Sequence, residues 1–274
     1  MYTEYQPSHL LAPYIDNYWE FKGNPEYGMR IHILPDGCTD FIFTLGEVAN
    51  AVEEGSLIMQ PYRSYFVGPM TKYSELVTYT ESIHMFGVRF LPCGMSCFTN
   101  LPLHEFVNSR VSTNEMKAVF DDTFIEKLGE QKHVTDRIRV VEEYLLAYLA
   151  RHYQPADSHV AMAVNMINHS KGKRSVRSLM DDVCLCQRHF ERKFKHYTGF
   201  TPKEYSRIVK FKNAVELLRT TTSANLLTTA VDAGYYDLAH FSKEIKSMSG
   251  NTPASFLSLT VPEETTLTYI EPQR

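Results

Sequence analysis

The 274-residue sequence predicts an α+β chain with two parts, a β-rich N-terminal part and an all-α C-terminal part. In the first part, short apolar and aromatic runs alternate with Gly and Pro turns, which is typical of strands. In the second part, apolar residues recur every three or four positions, which is typical of amphipathic helices. A string of 14 residues also occurs twice in the second part, which indicates a helical unit used twice.

Residues 1–110 are predicted to fold as a small barrel or a two-sheet sandwich. Turns such as Pro35-Asp36-Gly37 and Gly68-Pro69 separate the apolar runs, and many short strands with regular turns are typical of both architectures. The runs predicted as strands are Ile31–Leu34, Asp40–Leu45, Ser64–Val67, Glu75–Thr80 and Ile83–Phe90. The mouth of a barrel is a common ligand site, so we expect any small molecule to bind here.

The pattern becomes helical in the middle of the chain. Residues 111–156 are interpreted as a helical linker or dimerisation region, in which Val134–His152 carries the clearest apolar stripe. Further helices are predicted at Leu103–Val107 and Asn114–Leu128. The stretch Tyr153–Asp157 then breaks the pattern and is predicted to be a linker.

Residues 157–259 are predicted to form a domain of about seven short helices with no clear strand. These helices are Val160–His169, Val176–Val183, Gln187–Tyr197, Pro202–Arg219, Leu226–Ala233, Leu238–Met248 and Pro253–Leu259. Residues 260–274 are an acidic tail with two prolines, and we expect this tail to be loosely held.

Charge is distributed unevenly between the two parts. The chain has a net charge of -4, yet residues 1–156 carry 12 Lys+Arg and 20 Asp+Glu, whereas residues 157–259 carry 15 and 9. A basic module joined to an acidic one predicts that only the C-terminal part meets a polyanion. Ordinary fluctuation of charge along a chain is the alternative explanation.

Cysteine usage and hydropathy bear on the compartment. The chain has five cysteines, an odd number, with no Cys-x-x-Cys pair. No apolar run approaches the roughly 18 residues that span a bilayer, and the N-terminus lacks the pattern of a signal peptide. We therefore expect a cytoplasmic protein without membrane association, whose cysteines are small buried apolar residues.

The repeated string reads His-Phe-x-[Arg/Lys]-x-[Phe/Ile]-Lys-x-x-[Thr/Ser]-Gly-x-Thr-Pro, at His189–Pro202 and at His240–Pro253. Another short helix precedes each copy. The second copy has one extra residue in the intervening turn, where Gly234 accepts a positive φ without penalty. Such a unit is a helix-turn-helix, whose second helix enters the major groove of DNA.

Each of these second helices has a core-facing side and an outward side. Phe190 and Phe194 in the first, and Phe241 and Ile245 in the second, lie four positions apart and are predicted to face the core. The outward positions are the candidate DNA contacts: Gln187, Arg188, Glu191, Arg192 and Lys195 in the first helix, and Leu238, Ala239, Ser242, Lys243 and Lys246 in the second.

The two outward faces differ in chemistry. Glutamine and arginine suit bidentate hydrogen bonds with adenine and guanine edges, which Gln187 and the two arginines of the first helix would supply. Leu238 and Ala239 suit apolar contact with thymine methyl groups, while Lys243 and Lys246 suit phosphates. Base selectivity is therefore expected mainly from the first helix.

Two structural explanations compete with DNA binding. One amphipathic helix with cations on its outer face is more often a solvated surface helix, but two copies with the same ending are not explained in this way. A helical repeat scaffold is the other alternative. Solenoids generally need at least three repeats, and two are visible here.

The C-terminal part resembles the DNA-binding domain of the AraC/XylS family of bacterial transcription regulators. The resemblance covers about residues 157–259 and rests on Arg188–Lys195, Gly199–Pro202, Ala230–Tyr235, His240–Lys243 and Gly250–Pro253. It implies two helix-turn-helix subdomains joined by a long helix, here roughly Pro202–Arg219. Met180, Cys184, Lys243 and Ile245 depart from the residues that the family usually has, which affects affinity and sequence preference more than the fold.

The N-terminal part is more loosely similar to a sensor domain of some of these regulators. Three motifs carry that similarity: Leu34–Asp40, Val67–Pro69 and Phe86–Gly94. The similarity implies a cupin-like β-barrel with trailing helices, and it does not identify a ligand.

Two catalytic interpretations are weighed against structural ones. A metal site in a cupin needs a His-x-His pair with a carboxylate, but His32 and His84 stand singly and are predicted to be structural or exposed. Cys38 lies beside Asp36 and Asp40, whose negative charge would raise the thiol pKa and suppress its reactivity. The two aspartates are instead predicted to fix the turn by bonding to backbone groups.

These observations predict a sequence-specific DNA-binding transcription regulator controlled by a small molecule in the N-terminal barrel. No catalytic residue, metal ligand or cofactor is assigned, and no enzyme activity is expected. The expected partners are double-stranded DNA, a small-molecule effector, a second copy of the chain, and RNA polymerase if the regulator is an activator. The alternative is a cupin-type binding or enzymatic domain whose helical half is a protein-interaction module.

Overall fold

The computed structural model describes residues 2–25, 29–46, 59–78, 82–116, 119–120, 122–152, 154–183, 185–220, 225–258 and 268–271. Within these residues the N-terminal part is mostly sheet and the C-terminal part is helical, as the sequence predicts. Neighbouring strands run antiparallel throughout.

The described strands form two open sheets. They are β1 Tyr2–Tyr5, β2 Ile15–Gly23, β3 Met29–Ile33, β4 Thr39–Thr44, β5 Ser64–Val67, β6 Ser74–Thr78, β7 Ile83–Phe90, β8 Arg110–Ser112 and β9 Thr268–Glu271. One sheet has the order β1-β2-β7-β4-β5-β8 and the other the order β6-β3-β9. The sequence predicts either a barrel or a sandwich, and the described strands form a sandwich of two sheets without the closure of a cupin-like barrel.

The five strands predicted from the sequence all exist, with ends within two residues of the predicted ones. The prediction missed β1, β2, β8 and β9. The strand β2 is an inner strand of the larger sheet, but its polar positions interrupt any simple alternation of apolar and polar residues. The strand β9 lies in the acidic tail that we expected to be loosely held, and it pairs with β3 at the edge of the smaller sheet.

The larger sheet is the middle of three layers. Phe41 and Phe43 of β4 face the helices that follow the sheet, and their rings lie 5.0 and 5.3 Å from that of Phe120. Between them, Ile42 points to the opposite face and packs in the cluster shared with the smaller sheet. Successive side chains of a strand point to opposite faces, so both faces of β4 are covered and the whole strand is buried.

The helices after the sheet agree only in part with the prediction. Leu103–Phe106 is a short 3-10 turn, and α1 runs over Asp122–Gly129. The predicted helix Asn114–Leu128 is therefore wrong in its first part, where Thr113–Glu115 is another 3-10 turn. Residues 117, 118 and 121 lie outside the described residues. The helix α2, Val134–His152, has the predicted bounds.

The C-terminal domain contains the seven predicted helices among its described residues. They are α3 Ser158–His169, α4 Val176–Val183, α5 Gln187–Thr198, α6 Pro202–Thr220, α7 Leu226–Asp232, α8 Leu238–Ser249 and α9 Pro253–Ser258. Phe190, Phe194, Phe241 and Ile245 are fully buried, which confirms the predicted core-facing stripes.

The shared ending of the two repeats is a device that stops one helix and starts the next. Gly199 and Gly250 follow α5 and α8 in the left-handed conformation, with φ of 83° and 76°. The hydroxyl before each glycine, on Thr198 or Ser249, donates to the carbonyl oxygen four residues earlier at 2.7 Å. The proline three residues after each glycine begins α6 or α9, where its missing N–H is not needed.

A buried ion cluster holds the turn between β3 and β4. Arg89 on β7 lies directly opposite Asp40 on β4, and its Nε lies 3.2 Å from Asp40 Oδ1 and 3.5 Å from Asp36 Oδ2. Trp19 Nε1 also donates to Asp40 at 2.7 Å. Asp36 accepts from the backbone N–H of Cys38 at 2.8 Å, as predicted, whereas Asp40 bonds to side chains instead of fixing the turn.

The described cysteines agree with the prediction except for one. Cys38, Cys93 and Cys97 are buried, but Cys186 is exposed just before α5. Burial, followed by the charge of Asp36, raises the pKa of the Cys38 thiol well above its usual value. The predicted suppression of reactivity is thus supported, although burial contributes more than the neighbouring carboxylate. Cys184 lies outside the described residues.

The three N-terminal motifs singled out in the sequence lie against the C-terminal domain. In the first motif, a Cβ added at Gly37 would lie 2.7 Å from the ring of Tyr205 on α6. In the second, Pro69 lies against Gly199, at 2.5 Å from a Cβ added there. In the third, Cys93 packs in the hydrophobic core of the C-terminal domain. These motifs therefore form an interface between the domains.

The glycines that end α5 and α8 both contact the same N-terminal loop, residues 68–73. Pro69 lies at the stop of α5, and the ring of Tyr73 lies 2.7 Å from a Cβ added at Gly250, the stop of α8. Tyr73 also stacks on His32 of β3, with ring centroids 5.5 Å apart. Residues 68–73 therefore fix the C-terminal ends of both helices relative to the sheets.

Replacing Arg89 tests the ion cluster. Arg89→Met leaves Asp36 and Asp40 buried without their cation, so we expect the free energy of unfolding to fall by about 3–5 kcal/mol. Urea unfolding measures this loss. Arg139→Met, at an exposed position on α2, serves as the control and should change stability by less than about 0.5 kcal/mol. Equal stabilities for the two variants would contradict the assigned role.

Replacing the two stop glycines tests the role of the shared ending. Gly199→Ala and Gly250→Ala each place a Cβ in the left-handed region, which costs about 1–2 kcal/mol, and against a side chain of the N-terminal domain. Thermal unfolding should show both losses. Gly129→Ala is the matched control, because no atom lies within 4 Å of its added Cβ. A loss at Gly129 as large as those at the stops would refute the argument.

Candidate nucleic-acid interface

The outward face of α5 is solvent-exposed and cationic. Gln187, Arg188, Arg192 and Lys195 are exposed, and Glu191 is half-buried. Phe190 and Phe194 anchor the opposite face of the helix in the core. The structure thus brings all five predicted residues of the first helix to its accessible side.

One internal bond modifies the chemistry of this face. Gln187 Nε2 donates to Glu191 Oε1 at 2.9 Å, across one turn of the helix. The carboxylate therefore orients the amide of Gln187 and lowers the local positive charge. Arg188 and Arg192 form no ion pair with another described residue, so both guanidinium groups are available to a ligand.

Lys193 does not belong to the candidate interface, although it lies in the same cationic run. Its Nζ donates to Asp157 Oδ2 at 2.5 Å, at the start of α3. Asp157 also caps α3 by accepting from the N–H groups of His159 and Val160. Burial raises the pKa of Asp157, but the bond from Lys193 and the cap bond outweigh burial, so its pKa is lowered.

The second helix, α8, presents a less polar face. Leu238, Ala239, Lys243 and Lys246 are exposed, and Ser242 is half-buried. Asp237 caps the helix by accepting from the N–H of His240 at 2.7 Å. The first turn of α8 is therefore regular and exposed to solvent. The first turn is the part of a recognition helix that approaches the bases.

Sequence reasoning missed several residues next to this face. Tyr236, in the turn before α8, is 91% exposed, and His240 is exposed one residue after Ala239. No pattern in a single sequence indicates that an aromatic side chain in a turn, such as Tyr236, is exposed. Tyr236 lies two residues before Leu238, so it adds an exposed aromatic ring next to the start of the second helix.

A bidentate ion pair fixes α8 on the long helix between the subdomains. Arg207 on α6 donates to both carboxylate oxygens of Glu244 on α8, at 2.7 and 3.1 Å. The bond to Glu244 raises the pKa of Arg207, and burial opposes it. This pair joins residues 37 positions apart, so spacing along the sequence does not predict it.

The described residues contain no group of three or more His, Cys, Asp or Glu side chains that could hold a metal ion. His32 lies 3.5 Å from Glu75, and His84 lies 2.9 Å from Glu20. Among the described residues, no helix is long and apolar enough to cross a membrane.

Two protein families match the chain. Residues 3–112 match a domain of unknown function, DUF6597, and residues 179–258 match a helix-turn-helix domain. The second match covers both repeats, from α4 to α9. No curated protein matches the chain.

The fold of the whole chain is similar to that of ToxT from Vibrio cholerae. One ToxT structure has a TM-score of 0.52 at 9% identity, and the alignment covers 89% of this chain and 99% of ToxT. A second, of ToxT from strain O395 bound to (E)-4-(8-methylnaphthalen-1-yl)but-3-enoic acid, has a TM-score of 0.51 at 9% identity and covers 88% and 98%. At this identity the similarity establishes the two-domain fold.

A shorter similarity is to a probable AraC family transcriptional regulator from Rhodopseudomonas palustris. It has 20% identity and a TM-score of 0.34, and covers 37% of this chain and 96% of that one. The matched model, the two repeated motifs and their observed geometry show that residues 179–258 form a helix-turn-helix domain of the AraC type. These findings support the predicted DNA-binding transcription regulator of the AraC/XylS family.

Proposed function

We propose that α5 and α8 are the two DNA-reading helices of this regulator and that they read DNA unequally. The single observation that carries the proposal is the exposure of both outward faces, each opposite a fully buried apolar stripe. Repeated helix-turn-helix units place equivalent helices in major-groove segments.

The first helix is proposed to specify bases. Arg188 and Arg192 are exposed guanidinium groups without an ion pair among the described residues, and arginine forms bidentate bonds to guanine. Gln187 is held by Glu191 at 2.9 Å, so its amide is oriented before DNA arrives. A preoriented amide loses less conformational freedom when it bonds to adenine.

The second helix, α8, is proposed to contribute mainly apolar contacts to bases and ionic contacts to phosphates. Leu238 and Ala239 would contact thymine methyl groups, and Lys243 and Lys246 would bond to phosphates. Ser242 would donate or accept a hydrogen bond at a base edge without selecting one base. Lys195 would likewise bond to a phosphate, at the far end of the first helix. Phosphate contacts fix the position of the protein without specifying sequence.

Control by a small molecule is the second part of the proposal. One matched ToxT structure contains a substituted butenoic acid. In this protein, aromatic side chains such as Phe41, Phe43 and Phe120 fill the space between the larger sheet and the helices α1 and α2. An effector would therefore act through the contacts between the domains, where the loop 68–73 touches the stops of both reading helices.

Alanine variants of the first helix test the assignment of base reading. Arg188→Ala and Arg192→Ala should each cost about 1–3 kcal/mol on an operator selected from random DNA, and much less on random duplex. Lys246→Ala should weaken both duplexes equally, because it removes a phosphate contact. Arg139→Ala, on the exposed side of α2, is the control and should leave both affinities unchanged.

Equal losses on operator and random DNA would refute base reading by the arginines. If the selected duplex bound no more tightly than random DNA, with little dependence on salt, DNA reading itself would be refuted. The spacing of the selected half-sites also reports whether one copy or two copies of the chain bind, and so tests the expected dimer. Contact with RNA polymerase belongs to the proposal only for an activator.

A further inference from the structure

A cleft of about 760 Å³ lies between the two helix-turn-helix units. One wall is the turn between α3 and α4, residues 172–175, and the opposite wall is the side of α8 that carries His240, Lys243 and Ser247. The first half of α6 forms its floor. The cleft therefore joins the first unit, the connecting helix and the second reading helix.

The lining of this interunit cleft is strongly cationic. Six basic side chains line it, with Glu244 as the acidic one: Lys173, Arg174, Lys203, Arg207, Lys210 and Lys243. Two of the six are already neutralised, because Arg207 pairs with Glu244 and Arg174 pairs with Asp182. The four lysines form no ion pair with any other described residue, so four positive charges converge on one concavity.

Lys210 is the most constrained of these lysines. It is half-buried, its Nζ donates to the carbonyl oxygen of Gly234 at 3.2 Å, and it lies 5.5 Å from the ring centre of Tyr235. Burial lowers its pKa, and although Glu244 raises it, Lys173 lowers it further, so the pKa stays below its usual value. An anion in the cleft would stabilise the charged form of Lys210 and so offset both the cost of its burial and its repulsion by Lys173.

A buried hydroxyl group provides an independent observation. Tyr235 lines the same cleft and is 5% exposed, yet its hydroxyl has no hydrogen-bond partner among the described residues. A buried hydroxyl without a partner is costly and rare. Tyrosine can donate, so a group with acceptor oxygens in the cleft would complete its bonding.

We propose that the interunit cleft binds a phosphate group, held by Lys173, Lys210 and the Tyr235 hydroxyl, with Lys203 and Lys243 at its rim. A phosphate supplies several acceptor oxygens and one to two negative charges, which fits converging lysines and a donor hydroxyl. The phosphate comes either from the DNA backbone between the two reading helices or from a free phosphorylated molecule. In its DNA form the inference rests on the proposed function.

The first experiment uses the full chain and inorganic phosphate. Its melting temperature is compared in phosphate and in chloride at equal ionic strength, and phosphate should raise it by at least about 2 °C, because a ligand stabilises the folded state that binds it. Lys210→Met should abolish this shift. Lys132→Met, an exposed lysine in the N-terminal half, is the matched control and should keep it.

Tyr235→Phe is the second variant, and it keeps the test readable if Lys210→Met does not fold. Without the hydroxyl, the protein should be as stable as the wild type or more stable in chloride, since an unpaired buried group is removed. The shift caused by phosphate should nevertheless decrease. A structural role alone for Tyr235 would give no such difference between the two buffers.

The second experiment distinguishes the two sources of phosphate. Affinity for a random duplex is measured over a fourfold range of salt, and loss of one backbone contact in Lys210→Met should reduce the slope of log affinity against log salt by about 0.9, or roughly 3-fold in affinity over that range. A reduced slope supports the DNA backbone as the source. An unchanged slope with a phosphate shift that Lys210→Met abolishes supports a free phosphorylated molecule.

The proposal is overturned if Lys210→Met and Tyr235→Phe both keep the wild-type phosphate shift and the wild-type slope. It is equally overturned if the wild-type chain shows no phosphate shift and its slope is the same as that of Lys210→Met. The phosphate experiment needs no DNA, so failure of operator selection would refute the proposed function and leave this result intact.

Discussion

The buried pairing of Arg89 with Asp36 and Asp40 is the interaction on which the arrangement of the two domains depends. Arg89 and Asp40 lie opposite each other on β7 and β4, at the centre of the larger sheet. Asp36 lies in the turn before β4, and the adjacent Gly37 lies against Tyr205 of α6. The ion cluster in the N-terminal domain therefore fixes the turn that contains Gly37. The outer surface of this turn packs against the C-terminal domain. Burying these charges is favourable only while all partners are present, so the turn has one stable position.

The repeats separate structural from chemical roles. The letters that the two copies share, the Thr or Ser before glycine and the Thr-Pro after it, form helix stops and starts. The outward positions differ between the copies, as with Gln187 and Arg188 against Leu238 and Ala239. Helix termination imposes the same geometric requirement on both copies, whereas each reading face is free to match its own DNA segment. The shared residues therefore define the fold, and in the proposed function the outward residues that differ between the copies set the specificity.

Both reading helices are held at their C-terminal ends by one loop of the N-terminal domain. Pro69 and Tyr73 lie against the two stop glycines, and Cys93 packs in the C-terminal core. The N-terminal motifs that are similar to those of sensor domains thus serve as the interface between the domains. In the proposed regulator, a change in the N-terminal domain would reach DNA through the orientation of α5 and α8. The cationic cleft between the helix-turn-helix units is lined by residues of both α6 and α8, so its shape also depends on how α8 is oriented.

The helices of the C-terminal domain, their core-facing residues and the exposed faces of α5 and α8 are all predictable from the sequence. These follow from local periodicity, glycine stops and proline starts, which act within a few residues. The sequence also indicates the turn at Gly37 and the succession of short strands separated by turns. Three features appear only when the chain is folded: the strands form two open sheets, β9 pairs with β3, and Asp40 pairs with Arg89. The bonds of Arg207 to Glu244, of Lys193 to Asp157 and of Lys210 to Gly234 likewise join residues 24 to 37 positions apart. Such contacts depend on how whole elements pack, and a single sequence records periodicity along the chain but not which elements meet in space.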